Sequence, residues 1–250
     1  MDMFVRLEVD DGVGIVRLDR PPANAISHAV GLQLGEVVAE AAERSDVGAL
    51  VIWGGERLFA AGADIKEMAD FGPNEIRPVV AALGDAIDTL EALPKVSIAA
   101  VTGYALGGGL ELALGADLRY LAEDATIGQP EIKIGVIPAA CRPARTRRLV
   151  YTGAQLDAAR ALDLGLADRV LPASEVLDVS IAHAREFAQG PREALAAAKA
   201  AIRAAVDSSG PAGMAREREL FVELFGSTDQ REGMRAFLER REPSFGSEGA

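Results

Sequence analysis

The stretch VSIAAVTGYALGGGLELALGA, Val96 to Ala116, decides the fold because three local signals follow one another without a break. VSIAAV is a short apolar run containing β-branched residues, the pattern of a strand buried on both faces. Gly107, Gly108 and Gly109 come next and open an apolar helical run. A strand-to-glycine-to-helix junction gathers free backbone N–H groups and the positive end of a helix dipole at one point. Those donors are placed to stabilise a developing oxyanion, and close helix–strand packing accounts for the glycines equally well. Glu111 is the only polar side chain between Ala105 and Ala116. It is therefore predicted to be at least partly buried, where desolvation raises a carboxyl pKa toward the acid/base range. A structural ion pair is the competing explanation, since a buried carboxylate without a partner is costly.

Upstream, ALVIW (Ala49–Trp53) is a second buried strand ending at Gly54-Gly55, and Phe59-Ala60-Ala61-Gly62-Ala63-Asp64 follows it. Small side chains there let a ligand approach the backbone, and Asp64 is a candidate helix cap. FVRLEV and VGIVRL flank Asp10-Asp11-Gly12 and predict an opening hairpin. After Pro21-Pro22, Ser27 is placed to cap a helix carrying Val30, Leu34, Val37, Val38 and Ala41 and reaching Glu43. Ile76, Val80, Leu83, Ile87 and Leu90 predict one face of another helix, with Pro78 tolerable only near its first turn.

Downstream, DLRYLA (Asp117–Ala122) reads as a strand. GQPEIKIGVIP (Gly128–Pro138) is an irregular, Gly/Pro-punctuated segment holding Glu131, of the kind in which rigid loops hold functional groups, although a loop glutamate is commonplace. From Ala154 the pattern is largely helical, through QLDAARALDLG, Ser174–Gln189 and Arg192–Ala205. Ser208-Ser209-Gly210-Pro211 forms a linker before a helical pattern resumes at Arg216.

The 250 residues suffice for a sizeable core, and 49% hydrophobic with 26% charged residues is an ordinary globular composition. A formal charge of −12 repels a phosphate backbone, so nucleic acid is not an expected partner. The single cysteine, Cys141, rules out an intrachain disulfide framework and is read as a non-catalytic thiol in a reducing, cytoplasmic setting. The acidic N-terminus does not resemble a signal peptide, and no apolar run reaches membrane-spanning length. His28 and His183 lack metal-ligand spacing, so no metal site is expected. No G-x-S-x-G elbow, P-loop or dinucleotide fingerprint is present.

Four segments in order, FAAGADIKEM, VTGYALGGGLELALGADL, ATIGQPEIKIGVIP and GLADRVLP, closely resemble the enoyl-CoA hydratase/isomerase (crotonase) family. The resemblance runs from the opening hairpin to DQREGMRAFLERREPSF. It implies an α/β fold, a right-handed spiral of β-β-α units over residues 1–190, and a C-terminal helical oligomerisation arm over residues 191–250, assembled as homotrimers or homohexamers. The family's oxyanion hole corresponds to the backbone N–H groups of Ala63 and Gly108, and such donors are often worth about 3 kcal/mol each. Glu111 and Glu131 match the two catalytic glutamates of the hydratases. Substrate and CoA contacts are implied at Ala61, Gly62, Asp64, Ile65 and Gly107, with Arg57, Lys66 and Arg240 facing CoA. The coenzyme arrives with the substrate, so no separate cofactor is implied. The implied activity is hydration of a trans-2-enoyl-CoA; double-bond isomerisation, another enolate-type reaction and acyl-CoA binding without turnover are the alternatives.

One departure stands out. Relatives continue past the Ile-Pro with a glycine-rich stretch and a helix, whereas Ile137-Pro138 is followed here by AACRPARTRRLV and almost at once by Tyr151-Thr152-Gly153. This shortens the region by about two to three helical turns and is expected to thin the wall beside Glu131. Arg142, Arg145, Arg147 and Arg148 cluster in the same place and are read as balancing nearby carboxylates.

Overall fold

The period-two pattern at the N-terminus gives β1 (Val5–Asp10) and β2 (Val13–Leu18), paired antiparallel across Asp11-Gly12. The computed structural model describes residues 2–138, 147–207, 211–225 and 227–245. Ser27 caps α1 (His28–Glu43), its Oγ accepting from Val30 N at 3.3 Å, and the helix buries Val30, Leu34, Val37, Val38 and Ala41. β3 (Ala49–Trp53) is buried along its whole length, as its unbroken apolar sequence requires. Then come α2 (Ile65–Met68), α3 (Pro73–Ala92), β4 (Val96–Val101), β5 (Tyr104–Leu106), α4 (Gly108–Gly115), β6 (Leu118–Ala122) and β7 (Thr126–Gly128). A 3-10 turn at Glu131–Ile134 follows. Beyond it lie α5 (Arg147–Thr152), β8 (Gln155–Asp157), α6 (Ala158–Asp163), β9 (Arg169–Leu171), α7 (Val176–Gln189), α8 (Arg192–Asp207), α9 (Pro211–Leu224) and α10 (Thr228–Glu239).

Two sheets organise these elements. The larger runs β1-β2-β3-β4-β6-β9 with every pair after the hairpin parallel, and the smaller runs β5-β7-β8. Isolated parallel bridges, Ala60 to Ala105 and Ile26 to Ala63, extend the smaller sheet by two more extended segments. Successive passes of the chain thus add a strand to the large sheet and an extended piece to the small layer, with a helix before the next pass. α7 covers β2, β3, β4 and β6, burying Ser180, Ala184 and Ala188. α8 is held to this core by Lys199. Its ammonium, almost out of solvent, reaches Asp117 Oδ2 at 2.7 Å and the carbonyls of Leu90 and Lys95 at 3.1 Å each.

Four expectations change. The segment from Ala154 opens with strand β8, which pairs antiparallel with β7 before Asp157 caps α6. A three-residue edge strand has no period to read, and its partner decides its form. Pro78 lies inside α3, five residues past the helix start at Pro73, rather than in its first turn. It is exposed, so the carbonyl that loses its helical partner faces water. Val80 is 42% exposed instead of belonging to the apolar face, which Ala82, Leu83, Ala86, Ile87 and Leu90 make. Of the predicted linker Ser208-Ser209-Gly210-Pro211, residues 208–210 lie outside the described residues, while Pro211 opens α9, so helix resumes before Arg216.

Candidate active site

β3, β4 and β6 end nearly level, Trp53 facing Ala100 and Val101 facing Leu121, so the loops that leave them depart from one edge of the sheet. The carboxyl ends of parallel strands are where α/β sheets commonly place ligands. The loop after β3 runs through Phe59 to Asp64, the one after β4 through Gly107, and the one after β6 to Glu131.

Backbone pairing sets the first loop. Ile26 N donates to Gly62 O at 2.8 Å and Asp64 N to Ile26 O at 3.0 Å. This alternation turns the N–H of Ala63 away from Ile26, toward the start of α4. Across from it, a Cβ on Gly108 would sit 3.8 Å from Ala63 N. Gly108 is the first residue of α4, where an N–H has no helical acceptor. Among the described residues neither amide donates to the protein, so two free donors lie side by side. Gly109 lets the helix come this close: a Cβ there would collide with the Ala60 carbonyl.

Glu111 lies one turn into α4, 3% exposed, with its N–H on Gly107 O at 2.9 Å. Glu131 opens the 3-10 turn. The two segments are tied together by Gly107 N donating to Gly128 O at 2.9 Å, and a Cβ on Gly107 would come within 2.8 Å of Glu131 Oε1. Burial pushes the Glu131 carboxyl above the ordinary glutamate range, its own backbone N–H opposes this, and the charge of Glu111 raises it further. A free-donor pair and two glutamates, one buried and one half-buried, therefore meet at Gly107-Gly108.

Several sequence-predicted site residues sit on this frame in other ways. Ala61 and Ile65 are exposed along the Phe59–Asp64 loop and α2, while Gly62 is buried, its φ of 107° open to glycine. The Asp64 carboxylate is engaged internally. It caps α2 through Lys66 N and Glu67 N at 3.1 and 3.3 Å and pairs with Arg20 at 2.6 Å, an interaction that lowers its pKa. Arg57 and Lys66 are exposed and make no ion pair among the described residues. Arg240 closes α10, which packs on α8, and no hydrogen bond or ion pair joins it to the Glu111–Glu131 centre. His183 bonds Tyr120 OH at 2.8 Å and Arg169 at 3.1 Å, as a structural residue would.

Sequence reading missed Arg20. It holds Asp64 and donates to Ala25 O at 2.9 Å, bracketing the extended segments on either side of the Ala63 amide. The shortening after Pro138, with Cys141, Arg142 and Arg145, falls on residues outside those described. Arg147 and Arg148 are exposed at the start of α5, which contacts the 3-10 turn. Ile134 and Ile137, 58% and 73% exposed, have little cover from the described residues.

The two-sheet fold is that of the crotonase type. The chain belongs to the enoyl-CoA hydratase/isomerase family, whose sequence profile matches residues 8–248. A probable enoyl-CoA hydratase of Mycobacterium tuberculosis, echA8, is 41% identical over 253 residues, covering 96% of this chain and 97% of that protein. The crystal structure of an enoyl-CoA hydratase from Bacillus anthracis superposes with a TM-score of 0.91 at 30% identity, covering 98% of this chain and all of that one. DspI of Pseudomonas aeruginosa superposes with a TM-score of 0.92 at 31% identity, over 98% and 97% of the two chains. The crotonase fold expected from the sequence is thereby established. Family membership makes this a lyase or isomerase scaffold for acyl-CoA thioesters. No helix among the described residues is long and apolar enough to cross a membrane.

Replacing Arg20 by methionine removes the clamp on the Ala63 loop while keeping an apolar stem. Under the function proposed below, turnover is expected to fall about tenfold or more through displacement of the Ala63 loop, since small displacements are amplified in rate. Unfolding followed in parallel separates this from global loss of fold.

Proposed function

We propose that the chain is an enoyl-CoA hydratase, adding water across the double bond of a trans-2-enoyl-CoA. The observation that carries this reading is the meeting of two glutamates beside two unengaged backbone donors. Hydration requires two proton movements, and isomerisation can proceed with one carboxyl.

In this reading the thioester oxygen sits between Ala63 N–H and Gly108 N–H. Ionised Glu111 takes a proton from water as the water oxygen bonds to the β-carbon. The π electrons move to the thioester as enolate charge, which the two donors hold. Glu131, protonated, gives its proton to the α-carbon and is left as carboxylate. Passage of the water-derived proton from Glu111 to Glu131 resets the pair. No electrons leave the substrate and the backbone supplies the polarisation, so the reaction calls for neither a metal nor a redox carrier. Arg57 and Lys66, exposed and without an ion pair among the described residues on the loop and helix that flank Ala63, are assigned to the CoA phosphates; Arg240 is assigned to CoA from the arm. A cytoplasmic setting fits the lone cysteine.

Loss of the conjugated enoyl-thioester absorbance with crotonyl-CoA and longer trans-2-enoyl-CoAs tests this, turnover being the expected result. Because Glu131 acts as an acid with a raised pKa, the limb on which activity falls with rising pH is expected above the ordinary glutamate range. Glu111→Gln removes a neighbouring charge and is expected to move the Glu131 titration down. Binding of CoA esters without turnover at any chain length would replace the hydratase reading with a silent acyl-CoA-binding one.

We also propose assembly through the helical arm, as a homotrimer or a pair of trimers. Phe221, Val222, Phe237 and Leu238 are 62–83% exposed there, an apolar surface that a lone chain leaves to water. Light scattering after size exclusion is expected to give three or six chains, and a stable monomer at micromolar concentration contradicts it.

A further inference from the structure

Gln129 is 1% exposed, lies between β7 and the turn that carries Glu131, and takes no part in the hydration steps above. Its side-chain amide stands 3.0 and 3.1 Å from the two carboxyl oxygens of Glu131. With Nε2 on that side it donates to both, and Oε1 turns to donors at the other end; the reverse orientation sets oxygen against oxygen and nitrogen against N–H. The surroundings therefore select the donating orientation. A Cβ on Gly107 would come within 2.8 Å of Glu131 Oε1, so the glycine backbone as well as the amide donor limits where the carboxyl can go.

We propose that Gln129 is a positioning residue for Glu131, holding its carboxyl toward Gly107 and stabilising the carboxylate that forms as its proton leaves. The proposal rests on the hydratase reading. When Glu131 delivers its proton, its O–H bond breaks, the α-carbon gains a C–H bond, and the O–H electron pair stays behind as negative charge. That charge appears in a half-buried place beside Glu111, the charged group among the described residues that acts on it. A donor already in place strengthens as the charge develops and needs no reorganisation. In the acid form the same amide bonds the carbonyl oxygen and leaves the hydroxyl facing the substrate. Burial and Glu111 both oppose ionisation, and among the described residues the Gln129 amide is a side-chain donor that opposes them.

The test uses the full chain and two variants. Gln129→Glu keeps the shape and an oxygen for the donors at the far end but replaces Nε2 by oxygen; Gln129→Met keeps the length and removes both polar ends. The Glu131 carboxyl is titrated by isotope-edited infrared spectroscopy, its band assigned by its loss in Glu131→Gln. kcat and KM for crotonyl-CoA are measured across pH. Both variants are expected to move the Glu131 titration upward and to lower kcat about ten- to a hundredfold with KM within about threefold, the size of one charge-assisted hydrogen bond. A folded Gln129→Glu variant whose Glu131 titrates as in the wild type overturns the proposal, as does unchanged kcat in either variant of an active enzyme. The infrared titration requires no turnover, so an inactive wild type would sink the hydratase reading while leaving the Gln129–Glu131 coupling decided on its own.

Discussion

Glu131→Gln is expected to lower kcat for crotonyl-CoA about a thousandfold, and Glu111→Gln by a similar factor, since positioned acid/base groups contribute about 10²–10⁴ each. The double variant is expected to lose little beyond either single one, because both act on one water and one enolate and such losses do not add. Neither change alters shape, and the two donors at Ala63 and Gly108 remain, so substrate binding should survive. Stability points the other way for Glu131. Its folded pKa is raised, chiefly by burial, so the carboxyl costs stability as pH rises through that value. Gln carries no charge, and Glu131→Gln is therefore expected to unfold at neutral pH no earlier than the wild type. Steady-state kinetics beside thermal unfolding checks both halves. A variant that loses activity by losing its fold shows a fall in midpoint that this argument rules out for Glu131.

Gly107→Ala carries the next largest effect, and it tests geometry instead of charge. Gly107 has φ 52° and ψ −128°, a combination open essentially only to glycine, and its Cβ would stand 2.8 Å from Glu131 Oε1 and 3.7 Å from the Gly62 Cα. The strain costs about 1–3 kcal/mol. The added methyl also drives Glu131 away and shifts the two loops against each other. A displacement of about an ångström at a reacting group costs about a hundredfold in rate, so kcat is expected to fall at least that far. Gly12→Ala supplies the comparison. It too has positive φ, at 81°, but its Cβ would meet only Ala188 at 3.4 Å, in the hairpin. It is expected to lower the unfolding midpoint and leave kcat in place. Equal losses of activity in both variants would show that Gly107 matters for the fold alone.

The parts legible in the sequence are those whose signal is dense and local. β3 and β4 are unbroken apolar runs, α1 carries its cap and its stripe within sixteen residues, and the three glycines announce the start of α4. β5, β7 and β8 have three residues each and exist because they pair with one another, so no period could reveal them. The site divides in the same way. Glu111 stood out as the lone polar side chain of its segment, Glu131 was one more loop glutamate, and the resemblance to the family joined them. Arg20 and Asp64 lie 44 residues apart and meet only through the fold, so the clamp was invisible, whereas the helix-cap reading of Asp64 was local and legible. Gln129 lay within a quoted motif, but its burial and its reach to Glu131 are properties of the turn that follows β7.

The most direct test of the two-glutamate hydratase is to incubate crotonyl-CoA with the protein in ¹⁸O-labelled water and read the product by mass spectrometry. The account predicts a 3-hydroxyacyl-CoA carrying one ¹⁸O at the β-carbon, formed by the wild type and only in traces by Glu111→Gln or Glu131→Gln. An unlabelled product with a shifted double bond, or labelled product from either variant at the wild-type rate, would contradict it.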